Sequence, residues 1–281
     1  MVEIMEKVPK TPQQEKEEQE LALKSSLGKI KNKIIVMSGK GGVGKTSTSV
    51  NLSIALARKG FQVGLMDVDL HGPDVPRMLG LNGMPDVNSN RKLTPLKHSE
   101  QLAVISMESF LPKKDDAVIW RGPLKFSAIR QFIADVEWGE LDFLVIDSPP
   151  GTGDEPLTVA QQIPDARAII VTTPQEVALA DVRKSINFCR TVHLDIFGLV
   201  ENMSGLACPH CGEKIDLFGA GGGERTALEM GVRFLGKIPI DPRMVACGDS
   251  GQCFQEVHAG SPVTLAFGSL ADAVAGLAAR S

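Results

Sequence analysis

Apolar positions along the chain follow two alternating patterns. Short, continuous, β-branched runs are typical of strands that are buried on both faces, and longer segments carry apolar residues at helical spacing. The predicted strands are residues 33–38, 62–66, 102–106, 141–146, 166–171, 196–201 and 233–238. The predicted helices are residues 46–58, 124–136, 178–192, 224–230 and 262–279. Alternating strands and helices predict an α/β fold, with a mostly parallel sheet flanked by helices on both faces.

The first 32 residues break this pattern, because they are rich in Glu, Lys and Gln and have almost no apolar face. We expect residues 1–32 to form a mobile polar segment, with a partner-recognition arm as the alternative. Residues 33–281 are predicted to form one domain.

Composition narrows the possible partners. The chain has a formal net charge of −4, no Tyr and two Trp, which disfavours nonspecific nucleic-acid binding and base stacking. It has no apolar run of about eighteen residues, and its N-terminus has no apolar signal segment. The sequence therefore predicts a cytoplasmic protein with no membrane or nucleic-acid partner.

The strongest motif follows the first predicted strand and precedes the first predicted helix. It is made up of Gly39, Lys40, Gly41, Gly42, Val43, Gly44, Lys45, Thr46 and Ser47. Glycines at this point allow backbone N–H groups to surround phosphate oxygens at a helix N-terminus. Lys45 is placed to neutralise the β- and γ-phosphates of ATP, and Thr46 to bind Mg²⁺. The residues thus predict a P-loop ATPase domain, in which Lys40 is an additional lysine that the general motif does not require.

Carboxylates end two of the predicted strands, where open parallel sheets bind their ligands. Asp67 and Asp69 follow the second strand, and Asp147 follows residues 141–146. We expect Asp147 to help hold Mg²⁺ through water, Asp69 to orient the attacking water, and Asp67 to support Mg²⁺ or the loop. The alternative is that these side chains only cap the strand ends.

Five cysteines raise the question of a metal or cluster site. Cys208 and Cys211 form a C-x2-C pair, which is half of the roughly four ligands that zinc or a [4Fe–4S] cluster requires. Cys247 and Cys253 could complete an internal site, or a two-fold dimer could bring two copies of the pair together. A redox dithiol is a third hypothesis, although the thioredoxin-like pattern is missing. We expect Cys189 to be a core residue.

Several of these stretches together resemble a known family. The loop with Lys40 is similar to the deviant Walker A motif of MinD/ParA-type ATPases and of the nitrogenase iron protein. Further matching stretches resemble the Mrp/ApbC branch of iron–sulfur cluster carriers. They are residues 67–73, 120–123, 147–154, 202–204 and 208–211. The resemblance covers residues 31–279, and the absence of an N-terminal four-cysteine motif resembles the shorter prokaryotic members.

The resemblance implies a role for each matching residue. Lys40 would reach the γ-phosphate of the ATP in the opposite subunit of a homodimer. Asp69 looks like the switch I aspartate near the attacking water, and Asp147 like the switch II aspartate. Asn202, together with the turn that contains Pro239 and Asp241, resembles the adenine-recognition segments.

For the cysteines, the resemblance implies that Cys208 and Cys211 hold a [4Fe–4S] cluster across the two-fold axis. Cys247 and Cys253 lie outside the family pattern, so an internal site with zinc or a cluster stays open.

The sequence therefore predicts an ATP-binding and slowly hydrolysing carrier that transfers a [4Fe–4S] cluster to apo-proteins. One alternative is a MinD/ParA-like positioning ATPase, but residues 261–281 carry only Asp272 and Arg280 as charges and lack a basic amphipathic helix. A second alternative is an ATP-dependent reductase that resembles the nitrogenase iron protein.

Overall fold

The computed structural model describes residues 21, 23–69, 72, 74–89, 92–110, 122–208 and 210–280. Its strands are β1 (Ile30–Ser38), β2 (Val63–Asp67), β3 (Asp86–Val87), β4 (Leu93–Thr94), β5 (Leu96–Lys97), β6 (Leu102–Ser106), β7 (Leu141–Asp147), β8 (Arg167–Thr172), β9 (Asp195–Glu201), β10 (Leu206–Ala207), β11 (Lys214–Ile215) and β12 (Phe234–Lys237). Eight of them form the central sheet in the order β12-β9-β8-β1-β7-β2-β6-β5. Neighbours in this sheet are parallel except β5, which pairs antiparallel with β6.

Helices connect the parallel strands. They are α1 (Lys45–Arg58), α2 (Val75–Met78), α3 (Gly122–Asp135), α4 (Asp154–Gln162), α5 (Glu176–Thr191), α6 (Gly222–Glu229), α7 (Arg243–Ser250), α8 (Phe254–Val257) and α9 (Pro262–Ala278), with a 3₁₀ turn at Met107–Phe110.

The helices lie on both faces of the sheet and bury two apolar layers. In β1, Ile34 and Val36 join the layer that includes α1 and α9. Ile35 and Met37, on the other face of the same strand, join the layer that includes α3, α4 and α5. Because successive side chains of a strand point to opposite faces, a continuous apolar run fills both layers. The predicted α/β fold, with a mostly parallel sheet between helices, is confirmed.

The first strand begins earlier than predicted. β1 starts at Ile30, and Ile30 and the preceding Leu27 are both buried in the core. The predicted domain boundary at residue 33 therefore falls inside the strand. The mobility predicted for residues 1–32 concerns mainly residues 1–20 and 22, which lie outside the described part of the chain.

Helix α4 has no counterpart among the predicted helices, because Pro156 argues against a helix in the sequence. In the structure Pro156 lies in the first turn of α4, where backbone N–H groups have no intrahelical partner, so proline is tolerated.

The carboxyl ends of the parallel strands lie at one edge of the sheet. Asp67, at the end of β2, is in register with Asp147 at the end of β7, and Asp147 is in register with Val36 of β1. Two residues further along β1 is Ser38, where the chain enters the glycine-rich loop. The fold thus brings the loop and the predicted carboxylates together. Of the stretches that carry the family resemblance, residues 70–71, 73, 120–121 and 209 lie outside the described residues.

Candidate functional site

The loop between β1 and α1 has the backbone of a phosphate-binding site. Gly42 and Gly44 have φ angles of 78° and 82°, a left-handed conformation that glycine adopts without strain. α1 begins directly after Gly44, so the N–H groups of its first turn face the loop. Gly39 is required for a different reason, since a Cβ there would lie 2.5 Å from the backbone carbonyl carbon of Asp181 in α5.

Lys45 lies at the centre of a charged network. Its Nζ is 2.8 Å from Asp147 Oδ2 and 3.9 Å from Asp69 Oδ2. The Thr46 hydroxyl donates to Asp147 Oδ2 at 2.7 Å, and the Ser49 hydroxyl donates to Asp147 Oδ1 at 2.7 Å. Asp147 is fully buried and Lys45 nearly so, which strengthens these contacts. The structure therefore brings together four predicted site residues, Lys45, Thr46, Asp69 and Asp147.

Asp67 lies behind this network. Its carboxylate accepts hydrogen bonds from the Asp69 backbone N–H at 3.1 Å and from the Ser106 hydroxyl at 3.0 Å. Complete burial, and then the negative charge of Asp147, raise the pKa of Asp67 well above its usual value. Asp67 thus holds the backbone of Asp69 in place, and its predicted support of Mg²⁺ stays a prediction.

A cavity of about 610 Å³ opens beside the loop. Its wall includes Gly44 and Ser47 from the loop and all three residues predicted for adenine recognition, Asn202, Pro239 and Asp241. The volume is within the range of small-molecule sites, which is on the order of 300–1,000 Å³. Residues that the sequence did not single out complete the wall. Among them are Arg77, Met78, Phe218 and Met244.

Asn202 also supports the phosphate loop. Its side-chain amide donates to the Val43 carbonyl at 2.9 Å, and its backbone N–H donates to the Thr172 carbonyl at 2.7 Å. A Cβ on Gly44 would lie 2.1 Å from Asn202 Nδ2, so only glycine allows this close approach.

The carboxylate of Asp241 is bound within the chain. Arg243 donates from Nε to Asp241 Oδ1 at 2.9 Å and from Nη2 to Oδ2 at 2.6 Å. These hydrogen bonds lower the pKa of Asp241. Asp241 therefore contributes to the cavity wall while both of its carboxylate oxygens contact Arg243.

The predicted cysteine pair lies at the turn of a small hairpin that β10 and β11 form. The Cys208 N–H donates to the Glu213 carbonyl at 2.8 Å, and the Gly212 N–H donates to the Cys208 carbonyl at 2.8 Å. Cys208 is half-buried and Cys211 is exposed. Hydrogen bonds from the backbone N–H groups of Cys211 and His210, and then from the Cys211 thiol, lower the pKa of Cys208. A lowered pKa favours the thiolate, which is the metal-binding form.

The other three cysteines are buried. Cys189 is fully buried in the apolar layer with α3, α4 and α5, which confirms the prediction that it is a core residue, and burial raises its pKa to about 12. Cys247 and Cys253 belong to the apolar layer with α1 and α9. Within the described residues, no cluster of metal-ligating side chains joins them to Cys208 and Cys211. The burial of Cys247 and Cys253 argues against the internal four-cysteine site, which stays an untested alternative.

The sequence analysis missed Glu201. This fully buried carboxylate ends β9 and accepts hydrogen bonds from Gly221 N–H at 3.1 Å, Gly223 N–H at 2.6 Å and the Ser204 hydroxyl at 2.5 Å. It thereby caps the N-terminus of α6, where a negative charge is favourable. Its signal in the sequence is the same as that of Asp147, an acidic residue that ends a buried apolar run.

The cysteine hairpin and the cavity share a backbone connection. The Ser204 N–H donates to the Ile238 carbonyl at 2.9 Å, and the Ile240 N–H donates to the Gly205 carbonyl at 2.7 Å. Leu206 of β10 forms a parallel bridge with Ile240. A displacement of the cavity wall at residues 239–241 would therefore be transmitted to the hairpin through these hydrogen bonds.

Comparison with known proteins places these features in a family. The family model described as ParA, NUBPL iron-transfer P-loop NTPase, matches residues 29–275. An iron-sulfur cluster carrier protein of Methanocaldococcus jannaschii is 48% identical over 235 residues, which are 83% of this chain and 81% of the relative. The cytosolic Fe-S cluster assembly factor CFD1 of Saccharomyces cerevisiae is 48% identical over 238 residues, 82% of this chain and 81% of the relative.

Solved structures give the same result for the fold. A nucleotide-binding protein of Archaeoglobus fulgidus, in complex with ADP, is 38% identical with a TM-score of 0.74, over 88% of this chain and 95% of that one. The cell division protein MinD of Aquifex aeolicus is 21% identical with a TM-score of 0.63, over 87% of this chain and 97% of that one. At this identity the similarity shows a shared fold and no more. In the described part of the chain, no helix has the length and apolar character needed to cross a membrane.

Proposed function

We propose that this chain, which belongs to the ParA family of NUBPL-type iron-transfer P-loop NTPases, binds and hydrolyses ATP and carries a [4Fe–4S] cluster to apo-proteins. The observation that carries the proposal is the accessible Cys208–Cys211 hairpin, which is hydrogen-bonded to the wall of the cavity beside the phosphate loop. The names of the relatives, iron-sulfur cluster carrier and cytosolic Fe-S cluster assembly factor, support it and point to the cytosol.

The nucleotide half of the proposal rests on Lys45. The backbone N–H groups of the loop and Lys45 receive the phosphates, and the base enters the 610 Å³ cavity. Lys45 is paired with Asp147 at 2.8 Å, so phosphate binding exchanges one anionic partner of Lys45 for another. The protein then contributes chiefly by positioning, since Asp69, 3.9 Å from Lys45, is placed to orient a water toward the γ-phosphate.

Magnesium fits the same network. The Thr46 hydroxyl and the Asp147 carboxylate, 2.7 Å apart, are the hard oxygen ligands that Mg²⁺ prefers, and they would hold it directly or through water. When bound, the ion neutralises charge that develops on the phosphates.

The cluster half requires a second copy of the chain. A [4Fe–4S] cluster needs about four thiolates, and this chain offers two accessible ones because Cys189, Cys247 and Cys253 are buried. A two-fold axis supplies the other two from the partner's hairpin. We propose a homodimer for this reason. Lys40 is half-buried at the start of the loop, and the contact with the partner's nucleotide that the family resemblance implies is part of this proposal.

Anaerobic reconstitution tests the cluster half. We expect about four iron ions and four sulfides per pair of wild-type chains, with a dimer in sedimentation. Cys208→Ala and Cys211→Ala should lose the cluster absorption and the iron, whereas Cys247→Ala, which removes a buried thiol in the apolar layer, should retain both. Full cluster retention in Cys208→Ala would overturn the proposal, as would a wild-type protein that takes up only zinc without sulfide.

Turnover tests the nucleotide half. We expect Asp69→Ala to bind ATP and to lose at least tenfold in hydrolysis, in line with a water-positioning group. Lys45→Ala should lose ATP binding itself. Hydrolysis by Asp69→Ala at the wild-type rate would remove Asp69 from the mechanism.

An assay of cluster transfer to an apo-ferredoxin distinguishes a cluster carrier from the two alternative functions. A carrier delivers iron to the apo-ferredoxin and ends without a cluster. A reductase similar to the nitrogenase iron protein would cycle one electron and keep its iron, and a positioning ATPase would bind no cluster at all.

A further inference from the structure

A second group of metal-ligating side chains lies outside the cysteine hairpin. His98 follows β5 in the turn that leads to β6, Cys253 directly precedes α8, and Glu256 lies within α8. One ligand atom from each residue lies within 4.8 Å of the other two. The proposed cluster site uses none of these residues, and the sequence analysis considered only Cys253, as a possible partner of the hairpin cysteines.

We propose that His98, Cys253 and Glu256 bind one divalent transition-metal ion of the Zn²⁺ or Co²⁺ class. Imidazole nitrogen, thiolate sulfur and carboxylate oxygen together form a donor set that Zn²⁺ accepts in a tetrahedral site, with water in the fourth position. A thiolate in the set disfavours Mg²⁺ and Ca²⁺, which prefer oxygen ligands alone.

His98 is held in an orientation that suits a ligand. Its backbone N–H donates to the Leu102 carbonyl at 2.9 Å, and the Leu79 carbonyl lies beside its ring. Metal-binding histidines commonly donate one ring N–H to a backbone carbonyl, which leaves the other nitrogen to bind the ion.

Cys253 and Glu256 supply the two anionic ligands. The Cys253 thiol is buried, and it must lose its proton to solvent when it binds the ion as a thiolate. Ligand atoms on a tetrahedral Zn²⁺ lie about 3.5 Å apart, so the three atoms, which lie within 4.8 Å of one another, need to approach by no more than about 1 Å. The side chain of Glu256 is exposed and can move by that amount.

The bound ion would connect the edge of the sheet to the helix that follows the phosphate loop. α8 is attached to α1, because Gln255 Nε2 donates to the Asn51 carbonyl at 2.6 Å and to Asn51 Oδ1 at 3.2 Å. His98 lies on the turn between β5 and β6 at the edge of the sheet. An ion at this site therefore holds three segments together and should raise the thermal stability of the chain.

Cobalt titration tests the site without interference from the hairpin. The test uses the Cys208→Ser, Cys211→Ser double variant, from which a chelator has removed any metal. We expect this background protein to bind one equivalent of Co²⁺, with thiolate-to-cobalt charge-transfer absorption and the visible bands of tetrahedral Co²⁺. Zn²⁺ should displace it and raise the unfolding temperature. Cys253→Ser or His98→Ala, added to this background, should weaken binding by more than about 100-fold, since even outer-shell changes reach about 10- to 100-fold.

Two further variants keep the result interpretable. Glu256→Gln alters an exposed side chain that folding tolerates, and it should also weaken binding and shift the cobalt spectrum. Cys247→Ser, a buried cysteine outside the group, should bind Co²⁺ as the background protein does. The proposal is overturned if the background protein shows no stoichiometric thiolate–cobalt band. It is equally overturned if Glu256→Gln and Cys253→Ser, each folded by circular dichroism, bind Co²⁺ with unchanged affinity. Because the hairpin cysteines are absent throughout, failure here leaves the cluster proposal untouched.

Discussion

The side-chain amide of Asn202 donates a hydrogen bond of 2.9 Å to the carbonyl of Val43 in the phosphate loop. A residue at the end of β9 thus holds a loop that lies 159 positions earlier in the chain. The same residue lines the cavity that we assign to the base, so one side chain contacts both parts of the nucleotide site.

We predict that Asn202→Ala weakens ATP binding by about three- to tenfold, which corresponds to the loss of one buried hydrogen bond. The loss should be similar for ADP and smaller for adenosine, since adenosine lacks the phosphates that the loop binds. Calorimetric titration measures all three, with Asn187→Ala, an exposed residue of α5, as the control. An equal loss for adenosine would mean that Asn202 acts only on the base.

Glu201 should matter for stability as much as any apolar core residue. Glutamine at this position replaces one acceptor oxygen by an NH₂ group, which faces at least one of the N–H or O–H donors that now contact Glu201. We expect Glu201→Gln to lower the free energy of unfolding by about 1–3 kcal/mol.

Urea unfolding checks this, and Glu224→Gln is the matched control. Glu224 lies in the first turn of α6 and pairs with Lys237 at 2.7 Å on the surface, where an ion pair contributes less than about 1 kcal/mol. Equal effects of the two substitutions would contradict the role of Glu201 as a buried cap.

Thiol reactivity should separate the hairpin cysteines from the others. Cys208 is accessible and its pKa is lowered, so we expect iodoacetamide at pH 7 to label it first and the exposed Cys211 next. Cys189, whose pKa is raised to about 12, should react only after unfolding. Peptide mapping by mass spectrometry reports each site, and labelling of Cys189 at the rate of Cys208 would contradict the described burial.

The sequence predicted those parts of the candidate site that lie in short local motifs. Lys45 and Thr46 are adjacent in one loop, and Asp147 ends an apolar run, so local pattern was sufficient to place them at one edge of the sheet. It could not reveal that Arg243 contacts both carboxylate oxygens of Asp241. Nor could it bring His98 next to Cys253, because no local spacing relates residues from two distant loops. The pairing of His98 with Cys253 arises from tertiary packing, whereas the contact between Asp241 and Arg243, two residues apart, depends on a turn geometry that residue spacing does not specify.

Asp67 should make the stability of the nucleotide-free protein depend on pH. Its pKa in the folded protein lies well above the value of about 3.9 that an unfolded chain has. Between these two values the folded state keeps a proton that the unfolded state releases, so stability is greatest below the unfolded pKa and falls as pH rises through the window. Above the folded pKa, Asp67 is charged in the folded protein, and its buried charge next to Asp147 lowers the stability by the full amount.

We therefore predict that Asp67→Asn stabilises the metal- and nucleotide-free protein at pH 7 by on the order of 1 kcal/mol, and that the gain disappears as the pH falls to about 4. Asparagine cannot ionise, yet its oxygen can accept from the Asp69 N–H and its amide can donate to the Ser106 hydroxyl. Urea unfolding from pH 4 to 8 measures the effect.

Asp142→Asn is the contrasting control, because the hydrogen bond from Lys31 lowers the pKa of Asp142. Its contribution is present above the unfolded pKa and is lost as the pH falls, so that variant should lose stability at pH 7. A gain for Asp67→Asn that does not change with pH would show that packing, and not the buried charge, is responsible.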